Sequence, residues 1–315
     1  MNLRPFGKTG IGVSEIGLGA WQMGGGWGTV TGEAADLILR TAVESGVNFV
    51  DTADVYGLGR SEVLIGRFLK ASRAKLFVAT KLGRFPTEGG ASPYSMEAFS
   101  GFVEGSLRRL GTQALDLVQL HCAPTEILRR GEVFFFLRRL QEQGKIRHFG
   151  TSVQTVEEAL LCLEQEGLTS LQVIFNIFRR KPAEALFEKA VQKGVAVIVR
   201  LPLASGLLSG RFDKDTVFPE DDHRNFNRDG ARFNVGETFA GLPFPKGVEL
   251  AESLRPWVPH GLTLAQFALR FCLDFEAVTT VIPGASKPGQ ARANAVASQV
   301  TPLSPILHER LREFY

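Results

Sequence analysis

The sequence predicts an α/β fold: a closed (β/α)8 barrel with an N-terminal β-hairpin cap and a long loop after strand 7. That reading rests on three observations. A helix–glycine–strand unit recurs five times, the strand candidates are unbroken apolar runs rich in Val, Ile and Phe, and eight such runs alternate with helical patterns. Strands covered on both faces are expected to be continuously apolar, and alternation over this length implies a parallel sheet closing on itself.

Residues Met1–Val13 hold Gly7, Thr9-Gly10 and Gly12 and read as the capping hairpin, followed by a first strand at Ser14–Leu18. A helix is expected from Glu33 to Ser45, with Ala34, Ala35, Ile38, Leu39, Ala42 and Val43 on one face. Gly46 stops it in the position that favours left-handed backbone, and the run Val47–Val50 follows. The same unit returns with Gly111 before Leu115–Leu120, Gly144 before Lys145–Thr151, Gly167 before Leu171–Val173 and Gly194 before Val195–Val199. Leu76–Thr80 and Val278–Ile282 complete the eight. Arg211–Lys246 is polar and weakly periodic, as expected of an active-site loop or lid. Val248–Trp257 and Thr263–Cys272 read as helices. A doubly wound open sheet is the alternative. It is disfavoured because the glycine run Gly24-Gly25-Gly26-Trp27-Gly28 fails the Gly-x-Gly-x-x-Gly spacing.

A chain of 315 residues, 44% hydrophobic and 22% charged, suits one globular domain spanning 1–315. The net charge of +3 is too small and too evenly spread to suggest nucleic acid. Cys122, Cys162 and Cys272 are widely spaced, so neither a disulfide framework nor a metal site is expected. No apolar run approaches the ~20 residues of a membrane span, and the first residues lack a signal-peptide core. A cytoplasmic protein is expected, with its oligomeric state left open.

In such barrels the active site lies at the C-terminal ends of the strands. Those ends read Trp21, Asp51, Lys81, His121, Ser152, Gln172, Arg200 and Pro283-Gly284, with Tyr56 five residues after Asp51. Singly, Asp51 reads as a helix cap, Lys81 as a solvated lysine and His121 as a core residue. Together they match carbonyl chemistry. A tyrosine, with an ordinary pKa of about 10, becomes a useful acid beside a cation. A lysine held by a carboxylate is such a cation, and a neutral histidine orients a carbonyl.

The segment from Asp51-Thr52-Ala53-Asp54-Val55-Tyr56-Gly57 to Glu62 strongly resembles the aldo-keto reductase signature. So do Ala79-Thr80-Lys81, Asp116–His121 and Val281–Ala285, and the resemblance spans essentially the whole chain. It implies NAD(P)H-dependent reduction of an aldehyde or ketone, with Tyr56 as general acid, Lys81 lowering its pKa, Asp51 pairing with Lys81 and His121 orienting the carbonyl. Trp21, Tyr56, Phe85 and His121 are the implied substrate contacts, together with the loop Gly83–Pro93. Phe218 and Phe226 are read either as pocket walls or as lid anchors.

The resemblance also implies a cofactor site, with NADPH as the expected cofactor and NADH possible. Ser152 and Gln172 match the positions that bind the nicotinamide carboxamide. Val153 replaces the Asn that often follows that Ser, with Asn176 as the substitute. Arg200 stands where many members carry a stacking aromatic ring. Pro202, Leu203, Ser205, Gly206, Leu208 and Gly210 match the pyrophosphate loop. Gly284, Ser286, Lys287, Gln290 and Asn294 match the adenosine end. There Lys287 is read both as a 2′-phosphate partner and as a solvated lysine, while Gln290 and Ala293 depart from the usual Arg and acid. A slow redox-sensing subunit, like the potassium-channel β subunits, is the second reading. A metal-dependent hydrolase is a remote third, because none of the five histidines forms His-x-His.

Overall fold

Eight short apolar runs form the parallel strands that the sequence predicts, and a hairpin closes one end of them. The computed structural model describes all residues except 26, 29, 86, 88–91 and 233. Strands β1 (Leu3–Pro5) and β2 (Gly12–Ser14) pair antiparallel as the hairpin. The barrel strands are β3 (Leu18–Gly19), β4 (Phe49–Asp51), β5 (Phe77–Leu82), β6 (Leu115–His121), β7 (Ile146–Ser152), β8 (Ser170–Ile174), β9 (Ala196–Arg200) and β10 (Val278–Val281). Each pairs in parallel with the next in chain order. Parallel bridges Ile16↔Val281 and Gly19↔Gly284 bring the last strand back to the first and close the barrel.

The expected strand Ser14–Leu18 is divided. Ser14 ends the hairpin, while Leu18 and Gly19 form the barrel strand. Gly17 lies between them where the wall is tight: a Cβ there would meet a Phe49 ring carbon at 2.9 Å. Lys81, His121, Ser152 and Arg200 lie inside their strands rather than just beyond them. The expected stop glycines adopt left-handed backbone, with Gly111 (φ +68°) and Gly194 (φ +62°) ending the helices Met96–Leu110 and Phe187–Lys193. Helix starts are fixed by side-chain caps. Thr155 and Glu158 form a reciprocal capping box at Val156–Leu163, as do Thr263 and Gln266 at Leu264–Leu273. The helix expected from Val248 starts earlier, at Phe244, since Pro245 in its first turn needs no hydrogen-bond partner for nitrogen.

Period-two alternation then sorts the strand residues. Val50, Val78, Val118, Val197 and Val199 point outward into the layer under the helices. Phe49, Ala79, Leu117, Ala196 and Ile198 point inward and pack with Phe6 and Val13 of the hairpin. Phe6 sits 5.0 Å from the Phe77 ring and 5.9 Å from the Phe49 ring, so the hairpin fills the N-terminal end with aromatic rings. Each fully buried phenylalanine contributes about 1.5–3 kcal/mol relative to exposure. His148 stacks on Phe77 at this end, while the ion pair of Asp51 and Lys81 lies toward the other rim. No described helix is long and apolar enough to cross a membrane.

Residues 211–243 form the long segment after β9. Phe218 is buried and packs its ring 5.2 Å from Phe212 and 5.4 Å from Phe244, so it anchors the segment. Phe226 is 41% exposed and is not part of the wall of the cavity described below.

Candidate active site

Above the aromatic plug, the inward residues Asp51, Lys81, Gln119 and Gln172 of β4, β5, β6 and β8 are polar and joined by hydrogen bonds. Lys81 is 1% exposed, and its Nζ donates to Asp51 Oδ1 (2.5 Å), to the Thr52 carbonyl (2.7 Å) and to Tyr56 Oη (3.4 Å). Burial alone would drive its proton off, but Asp51 and Tyr56 outweigh that and hold its pKa above the usual lysine value. Lys81 is therefore a fixed cation. Asp51 Oδ2 in turn accepts Gln172 Nε2 (2.7 Å) and Gln119 Nε2 (3.2 Å). A buried ion pair needs such further hydrogen bonds to offset its desolvation.

The Tyr56 ring lies parallel to Trp21 (centroids 5.9 Å, 13°) and edge-on to His121 (5.8 Å, 84°). Burial raises the Tyr56 pKa, and the Lys81 charge opposes that rise without cancelling it. The expected lowering by Lys81 is thus present in sign but smaller than the desolvation. Burial, helped by the charges of Lys81, Arg84 and Arg200, pushes His121 well below the ordinary histidine value. Its ring is neutral, and its Nδ1 has no hydrogen-bond partner among the described residues. A neutral imidazole beside a phenol, with an ammonium behind the phenol, is equipped to donate hydrogen bonds to a carbonyl oxygen.

A cavity of about 820 Å³ opens above this group and runs from Trp21 to Asn294. Asp51, Tyr56, His121, Ser152, Gln172 and Arg200 line its inner end, with Trp21. Pro202, Leu203, Ser205 and Gly206 line the middle, and Gly284, Ser286, Gln290 and Asn294 the far end. Its walls carry buried polar atoms without hydrogen-bond partners among the described residues: Gln22 Oε1, His121 Nδ1, Arg200 Nε and Glu237 Oε1. An elongated cavity with orphaned polar groups along it fits a dinucleotide.

Several expected contacts lie elsewhere. Leu208 is fully buried, and the Gly210 carbonyl is taken by Arg255 (2.7 Å); neither lines the cavity. Lys287 is exposed at the N-cap of helix Pro288–Val296, outside the cavity wall. Phe85 turns to the outer layer, where the Arg109 guanidinium lies 5.5 Å over its ring, so it is not a cavity wall. Residues 86 and 88–91 of its loop lie outside the described residues. Asn176, expected to replace the contact missing at Val153, donates to the Leu201 carbonyl (2.9 Å) and accepts the Phe178 N–H (3.0 Å). Gln172 is tied to Asp51 and accepts the Ser152 hydroxyl (3.2 Å), so the two carboxamide-binding candidates are wired into the Lys81 network. The Gln290 oxygen accepts the Ser286 N–H (2.8 Å) and hydroxyl (3.0 Å), fixing that turn.

The long segment supplies residues that sequence reasoning missed. Glu237 Oε2 lies 3.5 Å from Arg200 Nη1, whose other nitrogen donates to the Val153 carbonyl (3.1 Å). Ser205 Oγ donates to the Glu237 carbonyl (3.0 Å) and accepts the Phe239 N–H (3.2 Å). This grip holds Ala204 (φ +46°) and Ser205 (φ +56°) in the left-handed region, where non-glycine residues are strained. Trp27 and His223 meet at 4.2 Å beside Trp21, and Arg224 lies 4.9 Å over Trp27 while paired to Asp222. Gln119 was legible, two residues before His121 on an inward-facing register. Glu237, Trp27 and Arg224 had no local signal.

Comparisons with known proteins show the family of the chain. The profile of the Aldo/keto reductase family matches residues 15–315. Aldo-keto reductase YhdN of Bacillus subtilis (strain 168) is 29% identical over 297 residues, 93% of this chain and 87% of the relative. Among solved structures, aldo-keto reductase AKR11C1 from Bacillus halodurans (holo form) is 29% identical with a TM-score of 0.79, covering 100% of this chain and 96% of that one. The glycerol dehydrogenase AKR11B4 from Gluconobacter oxydans is 28% identical with a TM-score of 0.78, covering 99% and 94%. With the profile running from the end of the hairpin to the last residue, this chain belongs to the aldo/keto reductase family, oxidoreductases that act on carbonyl compounds.

Proposed function

We propose that this chain reduces aldehydes or ketones to alcohols, reversibly, with NADPH as the preferred dinucleotide and NADH as a weaker one, working as a single domain in the cytoplasm. The observation that carries this reading is the Lys81 ammonium, held between Asp51 Oδ1 and Tyr56 Oη beneath a cavity that also presents a neutral His121. Ser152 and Arg200 would hold the nicotinamide end, Leu203–Gly206 the pyrophosphate, and Ser286 and Asn294 the adenosine end, with Lys287 at the rim. When bound, the dinucleotide supplies hydride to the carbonyl carbon. Tyr56 Oη and His121 stand where charge builds on the carbonyl oxygen, and donors preorganised at such a point stabilise the transition state most. Tyr56 then passes its phenolic proton to that oxygen. Lys81 carries the charge that favours the phenolate, and Asp51, Gln119 and Gln172 fix Lys81.

Replacing Tyr56 with Phe tests the assignment. NADPH binding is expected to persist while turnover falls by about 10²–10⁴-fold; near-normal turnover would remove Tyr56 from the proton-donor role. Lys287→Ala is expected to raise KM for NADPH more than KM for NADH, and an equal effect would take Lys287 out of the phosphate site. That AKR11B4 is named a glycerol dehydrogenase supports testing alcohol oxidation alongside carbonyl reduction. The Glu237 grip on Arg200 and Ser205 supports the second reading, a slow redox-sensing subunit. A burst followed by turnover limited by release of oxidised cofactor would favour it.

A further inference from the structure

Four arginines line the cavity, Arg84, Arg200, Arg211 and Arg224, against two carboxylates, Asp51 and Glu237. Asp51 is committed to Lys81, Gln119 and Gln172. Arg200 faces Glu237, and Arg224 grips Asp222 with two nitrogens. Arg84 and Arg211 have no carboxylate partner among the described residues. Arg211 follows the strained loop after β9, at the middle of the cavity. Arg84 is three residues beyond Lys81, where the chain leaves β5 through Gly83 (φ +101°). Its charge is felt at His121, after burial and Lys81, and at Cys122. Among the described residues, Arg84 is therefore a cation without a carboxylate partner whose charge reaches His121, in a cavity that Trp21, Trp27 and Val55 also line.

A guanidinium left unpaired in a partly enclosed site presents a planar fork suited to carboxylate or phosphate oxygens. We infer that the carbonyl substrate carries an anionic carboxylate or phosphate group, and that Arg84 is the specificity-determining residue that binds it. This rests on the carbonyl-reductase reading. The anion would draw the substrate in, while the aromatic walls hold the chain between the anion and the carbonyl. Arg84 takes no part in the proton transfer.

The experiment compares matched pairs on the full chain with NADPH: 4-carboxybenzaldehyde against benzaldehyde, and glyceraldehyde 3-phosphate against glyceraldehyde. The charged member of at least one pair is expected to have the higher kcat/KM. Arg84→Gln is expected to lower that charged-to-neutral ratio by about 10- to 100-fold, chiefly through KM, with partial recovery in Arg84→Lys. Which pair responds distinguishes carboxylate from phosphate. Equal ratios in wild type and Arg84→Gln for both pairs would overturn the assignment. Benzoate and inorganic phosphate titrations of the NADPH complex, followed by tryptophan fluorescence, give a readout that needs no turnover. Binding weakened at least about 10-fold in Arg84→Gln supports the anion site, and absent or unchanged binding of both anions overturns it. Failure of every aldehyde to react would instead sink the reductase reading.

Discussion

Gln172 donates to one oxygen of Asp51 (2.7 Å) while Lys81 holds the other (2.5 Å), so a side chain three strands away from β5 braces the buried ion pair. Ser152 extends the same chain of bonds through its hydroxyl. Gln172→Met keeps the volume and removes the amide, leaving Asp51 Oδ2 with Gln119 alone. The expected loss is about 1–3 kcal/mol of stability, together with a fall in kcat. Thermal unfolding and steady-state rates would check both. A variant with unchanged kcat would confine Gln172 to the cofactor surface.

The ion pair itself separates stability from chemistry. Lys81→Met leaves Asp51 charged and buried without its cation, at an expected cost of about 3–5 kcal/mol. Adding Asp51→Leu to that variant should restore most of the lost stability, because the unpaired charge is gone, but none of the activity. Denaturant unfolding of the single and double variants measures this, and a double variant no more stable than Lys81→Met alone would contradict it.

Two buried groups give stability opposite slopes with pH. His121 is held below the ordinary value of about 6.5, so the unfolded chain binds its proton first and stability is lost as pH falls below that value. Asp54 is raised to about 7 by burial and by the neighbouring Glu62 charge. The folded state therefore holds the Asp54 proton longer than the unfolded chain does. Its contribution is full below about pH 4 and is lost as pH rises toward 7. Asp54→Asn should consequently gain stability on wild type between those values, and His121→Asn should flatten the loss on the acid side. Urea midpoints across this range test the signs.

Glu237 is the contact through which the long segment reaches Arg200. Glu237→Gln removes its charge without removing its backbone bond to Ser205, and should speed release of NADPH by about 10-fold, the size of one charge-assisted contact. Stopped-flow fluorescence of cofactor release measures it. An unchanged release rate would mean that the backbone bonds alone hold the segment.

Much of the barrel was legible because its cause is local. Apolar runs, stop glycines and the alternation of strand with helix need no distant information, and they located Asp51, Lys81 and His121 on one rim. Tyr56 was legible through its spacing from Asp51 and through the family signature. Boundaries were not: Lys81 and Arg200 lie within strands, because pairing with neighbours extends each strand past its apolar run. The contacts of Asn176 and Phe85 were not legible, because each side chain meets a partner remote in sequence, the Leu201 carbonyl and the Arg109 guanidinium. Glu237 and Trp27 sit in segments without periodicity, so only the folded chain brings them to the cavity.

Closure of the barrel ties its first strand to its last, and Thr280 Oγ1 bonds the Ser14 carbonyl across 266 positions of sequence. The hairpin makes the same long reach, since Arg4 grips the carbonyls of Leu273, Phe275 and Val278. During synthesis, β3 through β9 can pair in order as they emerge, but the edges of that growing sheet stay unpaired until β10 arrives. Such edges are templates for association with other chains. A ribosome-bound nascent chain therefore carries sticky, half-built walls for most of its elongation. The rate of this last step, and access to folding helpers before it, governs how much of the protein reaches a working state.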